Sequence, residues 1–162
     1  MDFRLLNSVT KKDVYPLVHI EDNLDALQGA KWYSTLDVLS GFWQVEVAPE
    51  DREKTAFSVG GAGLWSYVTM PMGLCGAPGM FQRLMEHVLA GLQWNIALLY
   101  IDDIIVFAKS FEEHLSRLGE VLTRLQNTGL KLKPAKCVLF RKRVEYLGHI
   151  VSAQRVEVDP TK

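Results

Sequence analysis

The sequence has few features that would set it apart from an ordinary globular domain. It has two cysteines in 162 residues, Cys75 and Cys137, and they lack the paired spacing of a zinc site. We therefore expect reduced core thiols and no zinc. No apolar run reaches the roughly eighteen residues of a membrane span, and no charged-then-apolar leader is present. These absences predict an intracellular protein, cytoplasmic or nuclear, that neither enters a membrane nor is secreted.

Net charge is also nearly absent, because 18 Lys and Arg face 19 Asp and Glu. The distribution is uneven: residues 129–162 carry eight basic and three acidic side chains. Such a segment suits contact with nucleic-acid phosphates, and a solvated strand-and-loop surface has the same composition, so both interpretations stay open. Its central basic residues are Lys131, Lys133, Lys136, Arg141, Lys142 and Arg143.

Two adjacent aspartates interrupt an apolar stretch at residues 98–107, within Tyr100-Ile101-Asp102-Asp103. Asp is depleted from strands and a buried, unpaired carboxylate is costly, so the pair needs a physical reason. A tight turn between two apolar strands is one reason, and a divalent cation held by hard carboxylate oxygens is a second. On the tetrapeptide alone, a solvated Asp-Asp turn without metal is the favoured interpretation.

A third aspartate, Asp37, follows another strand-like segment and precedes the break at Ser40-Gly41. By itself this residue reads as an edge-strand or helix-capping acid. Combined with a hairpin that carries Asp102 and Asp103, it can converge on one spot. Three such carboxylates can hold two divalent ions for in-line phosphoryl or nucleotidyl transfer. The combination favours a metal site.

Hydrophobic periodicity predicts an α+β domain in which antiparallel hairpins carry helices on one face. We expect a helix over 20–27 that ends at Gly29, and a hairpin over 56–70 interrupted by residues 60–63. Further helices begin at Pro78 and after Ser110, where Ser110 and Glu113 fit a capping box and Gly129 ends the helix. Paired strands follow over 144–151 and 155–158.

The residues now show a resemblance to the reverse transcriptase domain of Gypsy-like (Ty3-type) long-terminal-repeat retroelements and their retroviral relatives. Seven segments match in the order of the family and span nearly the whole chain. They are 2–7, 10–17, 34–44, 53–57, 70–78 with 81–82, 100–103, and 129–137 with 146–149. The most specific segments are Leu36-Asp37-Val38, Tyr100-Ile101-Asp102-Asp103 and Tyr146-Leu147-Gly148.

The resemblance implies the palm of a polymerase with part of the fingers attached. Residues 1–30 and about 44–75 then form the junction of fingers and palm. The remainder is palm and ends at the primer-grip hairpin. Compared with the family pattern, we expect the early fingers, the thumb and ribonuclease H to lie outside the chain. We therefore expect weak template binding and poor polymerisation from residues 1–162 alone.

The implied activity is RNA-directed DNA synthesis, in which a primer 3′-hydroxyl attacks the α-phosphate of a deoxynucleotide. Asp37, Asp102 and Asp103 are the implied ligands of two Mg²⁺ ions, for which Mn²⁺ can substitute. The backbone carbonyl of Val38 is an additional implied ligand. Lys136 is the expected proton donor to pyrophosphate, with Lys133 as the second choice.

Other positions inherit substrate roles from the family pattern. Phe42 matches the aromatic gate that excludes a ribose 2′-hydroxyl, and Arg4 matches a brace for the template. Met72, Gln82 and Tyr100 match the nucleotide pocket, the template side and the neighbourhood of the primer terminus. Tyr146, Leu147 and Gly148 match the primer grip. Met72 departs from the Phe or Gln common at its position.

The implied partners are an RNA or DNA template with its primer, and deoxynucleotides, with no membrane and no zinc. A dimer of the full-length protein and a location in a virus-like particle are consistent with the resemblance. Two alternatives stay open. One is a different palm-type enzyme, such as a nucleotidyl cyclase or a primase-like transferase. The second is a non-catalytic, domesticated fragment that acts only by binding.

Overall fold

Residues 1–158 are described by a computed structural model, which alternates short helices with antiparallel strands. In chain order these are α1 (Arg4–Val9), α2 (Ile20–Ala26), β1 (Trp32–Asp37), β2 (Phe57–Val59), β3 (Gly63–Trp65), α3 (Ala77–Val88), β4 (Ala97–Tyr100), β5 (Asp103–Ala108), α4 (Phe111–Asn127), β6 (Val138–Arg141), β7 (Arg143–Tyr146), β8 (His149–Ser152) and β9 (Val156–Val158). Short 3₁₀ helices cover Gly41–Gln44, Pro49–Thr55 and Pro134–Lys136.

The central sheet has four antiparallel strands in the order β4–β5–β1–β6. β1 and β5 run against each other without interruption, from Trp32 opposite Ala108 to Asp37 opposite Asp103. Both strands are rich in buried apolar residues, as expected for strands covered on two faces. Two smaller sheets, β2–β3 and β7–β8–β9, stand beside this central sheet.

Helices α3 and α4 cover one face of the central sheet. Leu36 and Ile104 contribute to that core from the strands, and Phe81, Met85 and Val121 contribute from the helices. On the opposite face lie α2 and the β7–β8–β9 sheet, whose cluster is formed by Leu24, Leu27, Tyr33, Leu98, Ile105, Phe107, Val144, Tyr146 and Val151, with Ala30. The predicted α+β class, an antiparallel sheet with helices packed against it, is confirmed.

The predicted helix signals are found where the sequence placed them. Ser110 caps α4 by accepting a hydrogen bond from the Glu113 amide at 3.2 Å. The Glu113 carboxylate in turn accepts from the Lys109 amide at 2.9 Å, and this bond lowers its pKa. Gly129 has φ +74°, a conformation that favours glycine after a helix C-terminus. Local sequence therefore determines where α4 begins and ends.

One expectation about the cysteines is wrong. Both are free thiols, but Cys75 is exposed, whereas Cys137 is half-buried and packs against the main core. Cys75 lies in the loop before α3, where its amide donates to the side chain of Asn7 at 2.9 Å. The loop places its backbone, not its thiol, against the protein. Over residues 1–158, no helix is both long and apolar enough to cross a membrane.

Candidate active site

Asp37 and Asp103 end the two central strands of the sheet and lie opposite each other. Side chains alternate along a strand, so Asp37 shares a face with Tyr33, and Asp103 shares that face with Ile105. The Val38 amide donates to the Asp102 carbonyl at 3.2 Å and continues the pairing beyond the ladder. The predicted convergence of Asp37 with the Asp-Asp hairpin is therefore present in the backbone.

The turn that carries Asp102 joins β4 to β5 through two residues, with Tyr100 opposite Asp103. Its first turn residue, Ile101, has φ +55°, which suits the type of hairpin turn that favours glycine at this position. A β-branched residue in that conformation is strained, so its surroundings must hold it. The hold comes from Gln82, whose Oε1 accepts the Ile101 amide at 2.7 Å.

Gln82 belongs to a buried polar chain that runs away from the turn. It is fully buried, and its Nε2 donates to Glu86 at 2.8 Å. Glu86 also accepts a hydrogen bond from the Tyr15 hydroxyl, and this bond is the main reason that the pKa of Tyr15 is raised. The chain thus connects the N-terminal segment to the Asp-Asp turn. Contact of Gln82 with the template stays a prediction, and its visible partners are protein groups.

Lys136 brings a positive charge to the carboxylates. Its Nζ lies 3.0 Å from Oδ2 of Asp37, in an ion pair between a mostly exposed amine and a largely buried acid. This hydrogen bond, and then the charges of Asp37, Asp102 and Asp103, raise the pKa of Lys136. All three aspartates therefore act on one ammonium group.

A cleft of about 460 Å³ joins these groups to the β7–β8 hairpin. Its walls include Asp37, Asp103 and Lys136, and on the other side the residues of the predicted primer grip, Tyr146, Leu147 and Gly148. Leu147 at φ +49° and Gly148 at φ +75° form a two-residue turn of type I′ between paired Tyr146 and His149. The turn is thus fixed at the edge of the cleft that holds the carboxylates.

Tyr146, the last residue of β7, packs that hairpin against the core. Its side chain is buried beside Asn23, whose amide nitrogen lies 3.5 Å from the hydroxyl. Burial, followed by the nearby charge of Asp103, raises the pKa of Tyr146 well above its ordinary value. The phenol is therefore neutral at any physiological pH.

Phe42 lies near the end of β1, half-buried, with its ring 5.5 Å from that of Phe81 in an edge-on arrangement. The intervening Gly41 leaves no room for a side chain, because a Cβ there would come within 2.6 Å of the Phe81 ring. A glycine at this position therefore lets α3 approach β1 closely.

The other predicted substrate residues are more dispersed. Met72 is exposed in the loop before α3, and Tyr100 is half-buried at the end of β4. Arg4 is exposed and pairs with Asp2 at 2.6 Å, so its visible partner is local. Lys133 is exposed, and its amide donates to the Asp37 carbonyl at 2.9 Å. The substrate roles of these four residues stay predictions.

The carboxylates fit a divalent cation by their chemistry, since hard oxygens of three acids act on one cationic group. Their arrangement is not a finished coordination shell. Within residues 1–158, no three His, Cys, Asp or Glu side chains stand close enough together to hold a metal ion. Oδ2 of Asp37 is already paired with the Lys136 ammonium, so a bound ion would compete with that ammonium for the carboxylate.

Sequence reasoning did not anticipate Glu86, Ser34 and His114, and it gave Gln82 a template contact rather than the supporting role described above. Ser34 Oγ lies 2.7 Å from Nε2 of His114, and both side chains are fully buried. The available signal was the occurrence of polar side chains at apolar helix and strand positions. The partner of each residue lies far away in sequence, so pairing them required the fold.

An antiparallel sheet packed against helices, with two strands ending in facing aspartates and a third aspartate in the adjoining turn, is the polymerase-palm architecture that the sequence predicted. The family model described as reverse transcriptase (RNA-dependent DNA polymerase) matches residues 1–151. The chain belongs to this family.

Individual relatives agree. The chain is 39% identical over its whole length to the retrovirus-related Pol polyprotein from transposon 297 and, equally, to that from transposon gypsy, both of Drosophila melanogaster. It spans 15% and 16% of these two proteins. The fold matches the foamy viral protease–reverse transcriptase in complex with RNA/DNA hybrid, with TM-score 0.89 and 24% identity, over 99% of this chain and 21% of that one.

Proposed function

We propose that this chain provides the palm of an RNA-directed DNA polymerase encoded by a retroelement Pol polyprotein. The observation that carries the proposal is the pairing of Asp37 with Asp103 at the ends of adjacent strands, next to Asp102 in the turn. Asp37 and Asp103 share a cleft with Lys136 and the β7–β8 turn. Such a site suits nucleotidyl transfer, because the primer end and the negatively charged phosphates of a nucleotide must be brought together there.

In this proposal Asp37, Asp102, Asp103 and the Val38 carbonyl hold divalent ions, as reverse transcriptases in general use them. Bound Mg²⁺ or Mn²⁺ supplies activation of the primer hydroxyl and neutralisation of charge on pyrophosphate. The chain's own contribution is position. The β1–β5 ladder fixes Asp37 relative to Asp103, and Gln82 fixes the turn that carries Asp102.

Lys136 is the proposed proton donor to the leaving pyrophosphate. Its ammonium is kept protonated by the neighbouring aspartates, which is the state that a donor requires. Lys133 is the second choice, since it lies on the same exposed turn. The proton would pass from the Lys136 ammonium to a pyrophosphate oxygen and leave a neutral amine.

The substrates are a primed RNA or DNA template and deoxynucleotides. A relative of the same fold was solved with an RNA/DNA hybrid, which supports nucleic acid as the partner. We assign the β7–β8 turn to the primer end and Phe42 to the sugar of the incoming nucleotide. Arg141 and Lys142 are exposed and available to phosphates. Intracellular location, and a dimer of the full-length protein, remain predictions.

Primer extension on an RNA template tests the proposal directly. The enzyme is this chain placed within a complete Gypsy-type polymerase region, compared with the same protein carrying Asp102→Asn. We expect extension to fall by about a hundredfold or more, since several kcal/mol of charge stabilisation depend on such ligands. Asp22→Asn, an exposed acid on α2, is the matched control and keeps full activity. Equal activity in the Asp102→Asn protein would refute the proposal.

A second candidate, a binding module without catalysis, is favoured by one observation. Lys136 already pairs with Asp37, and the described residues contain no assembled three-acid metal cluster. Titration with Mn²⁺ separates the two functions. Binding that is weakened by Asp102→Asn supports the polymerase site. The absence of any Mn²⁺ binding that depends on Asp102, in a folded protein, supports the binding module.

A further inference from the structure

Strand β6 does not pair regularly with β1. Tyr33 lies opposite Arg141, but two residues further along β1, Thr35 lies opposite Val138. Two residues of β6, Leu139 and Phe140, therefore face the single residue Ser34. This is a β-bulge, in which one extra residue shifts the pairing by one position.

The bulge is held by a buried side chain. Ser34 Oγ accepts a hydrogen bond from the Phe140 amide at 3.0 Å and meets Nε2 of His114 at 2.7 Å. Phe140 adopts φ +53°, which is unfavourable for an aromatic residue, so its surroundings must hold it there. Its ring contacts those of His114 and Phe111, with centroids 5.6 Å and 5.4 Å away.

The register of β6 bears on which side chain of the preceding turn faces β1. When the Thr35–Val138 register is continued, Lys136 falls opposite Asp37. When the Tyr33–Arg141 register is continued, Cys137 falls there instead. A slip of one residue also turns each side chain to the opposite face. The regular pairing ends at Val138, and Lys136 lies just before it in the 3₁₀ turn Pro134–Lys136, from which its Nζ reaches Asp37 at 3.0 Å.

We propose that Ser34, hydrogen-bonded to His114, is a positioning residue that fixes the β6 bulge and thereby places the Lys136 ammonium at the Asp37 carboxylate. The significance of that placement for catalysis rests on the proposed function. The placement itself does not, because it is a contact between two side chains of this chain, Lys136 and Asp37.

Carbodiimide cross-linking measures this placement without metal, nucleotide or template. The reagent joins a carboxylate to an amine that touches it, so Asp37 and Lys136 become linked by an amide bond detectable by peptide mass spectrometry. The ion pair of Lys54 with Asp51 provides an internal control far from the bulge in the sequence. We expect both cross-links in the parent protein.

In Ser34→Ala, we expect the 37–136 cross-link to fall about tenfold relative to the 51–54 cross-link, because the amine is no longer held in contact. Ser34→Thr keeps the hydroxyl and restores the parent ratio. Ser34→Cys keeps the shape but replaces the acceptor with a weak one, and so behaves like Ser34→Ala. An unchanged ratio in both Ser34→Ala and Ser34→Cys overturns the proposal, as does an equal loss of both cross-links.

A measurement on the parent protein covers the case in which these variants fail to fold. The Phe140 amide should exchange its hydrogen as slowly as the neighbouring amides of the β1–β5 ladder. Fast exchange at Phe140 alone would show that Ser34 does not hold the bulge. A polymerase assay that fails while the cross-link results hold refutes the proposed function and leaves the positioning role intact.

Discussion

Strand β1 has two different edges. On one edge it pairs with β5 through six residues in unbroken register, ending with Asp37 opposite Asp103. On the other edge it pairs with β6 across a bulge, beyond which Lys136 meets Asp37. The edge facing β5 thus carries two negative charges, Asp37 and Asp103, on a regular ladder. The edge facing β6 is irregular, and beyond its bulge lies the positive charge of Lys136.

The two edges differ in how the fold fixes the positions of these charged side chains. Carboxylates that must share a cation need a constant separation, and an antiparallel ladder between buried strands provides it. Lys136, in contrast, lies outside the ladder, in the 3₁₀ turn that precedes β6. The bulge beside that turn is held by one buried serine, Ser34. The predictions below test first the regular edge and then the irregular one.

The largest effect on stability is expected at the β4–β5 turn, which Gln82 holds in place. Gln82→Leu keeps similar volume but removes the acceptor of the Ile101 amide and the donor to Glu86. Buried polar groups left unpaired cost about 1 to 3 kcal/mol each, so we expect a loss of about 3 kcal/mol in the free energy of unfolding. Urea denaturation measures it. Gln126→Leu, on the exposed side of α4, should change stability by less than about 0.5 kcal/mol.

The next effect concerns the close approach of α3 to β1. Gly41→Ala places a methyl group within 2.6 Å of the Phe81 ring, which is fully buried and has little room to move. Overpacking of this kind costs about 1 to 3 kcal/mol, and we expect about 2 kcal/mol by urea denaturation. Gly119→Ala meets no atom within 4 Å on α4. That control should stabilise the protein by a few tenths to about 1 kcal/mol, and equal effects would contradict the packing argument.

The regular edge was predictable from sequence, whereas the irregular edge was not. Asp37 at a strand end and the Asp102–Asp103 turn follow from apolar runs that local rules can interpret. Strand β6 escaped notice because its bulge disrupts the alternation that marks a strand and because it lies within the basic segment. The contacts of Ser34 with His114 and of Gln82 with Ile101 join residues 80 and 19 positions apart. No local pattern reports such pairs.

The irregular edge should depend on pH through His114. Burial, and then the charge of Arg117, lower the pKa of this imidazole below its ordinary 6.5. Below pH 6.5, His114 therefore binds a proton in the unfolded chain but not in the folded chain. The stability that this group contributes above pH 6.5 is lost as the pH falls below that value. One such group contributes a slope of at most about 1.4 kcal/mol per pH unit.

Urea denaturation of the parent and of His114→Gln between pH 7.5 and 5, conditions chosen around that pKa of 6.5, isolates the contribution. We expect the parent to lose stability more steeply as the pH falls, because Gln cannot take up a proton. Parallel curves for the two proteins would show that His114 is protonated equally in the folded and unfolded states. The link between the buried Ser34–His114 pair and pH would then be absent.

The smallest effect is expected at Asp37, which lies opposite Asp103 on one edge of β1 and pairs with Lys136 on the other. Lys136→Met removes the ammonium that competes with divalent cations for Asp37. Exposed ion pairs are weak, so we expect Mn²⁺ to bind only about two- to fivefold more tightly, as measured by calorimetric or spin-resonance titration. Lys133→Met removes an exposed lysine of the same turn that has no described ion pair, and should leave the affinity nearly unchanged.

The same substitution should act in the opposite direction on primer extension. If the Lys136 ammonium donates the proton to pyrophosphate, its loss lowers kcat, by about a hundredfold for a typical general acid, even though the cation binds more tightly. Tighter Mn²⁺ binding together with slower extension would show that one lysine both competes for the site and serves it. Tighter Mn²⁺ binding with unchanged extension would show that Lys136 pairs with Asp37 but is not the proton donor. Lys133 would then be the next candidate for the donor; it lies beside the same turn, and its backbone amide donates to the Asp37 carbonyl.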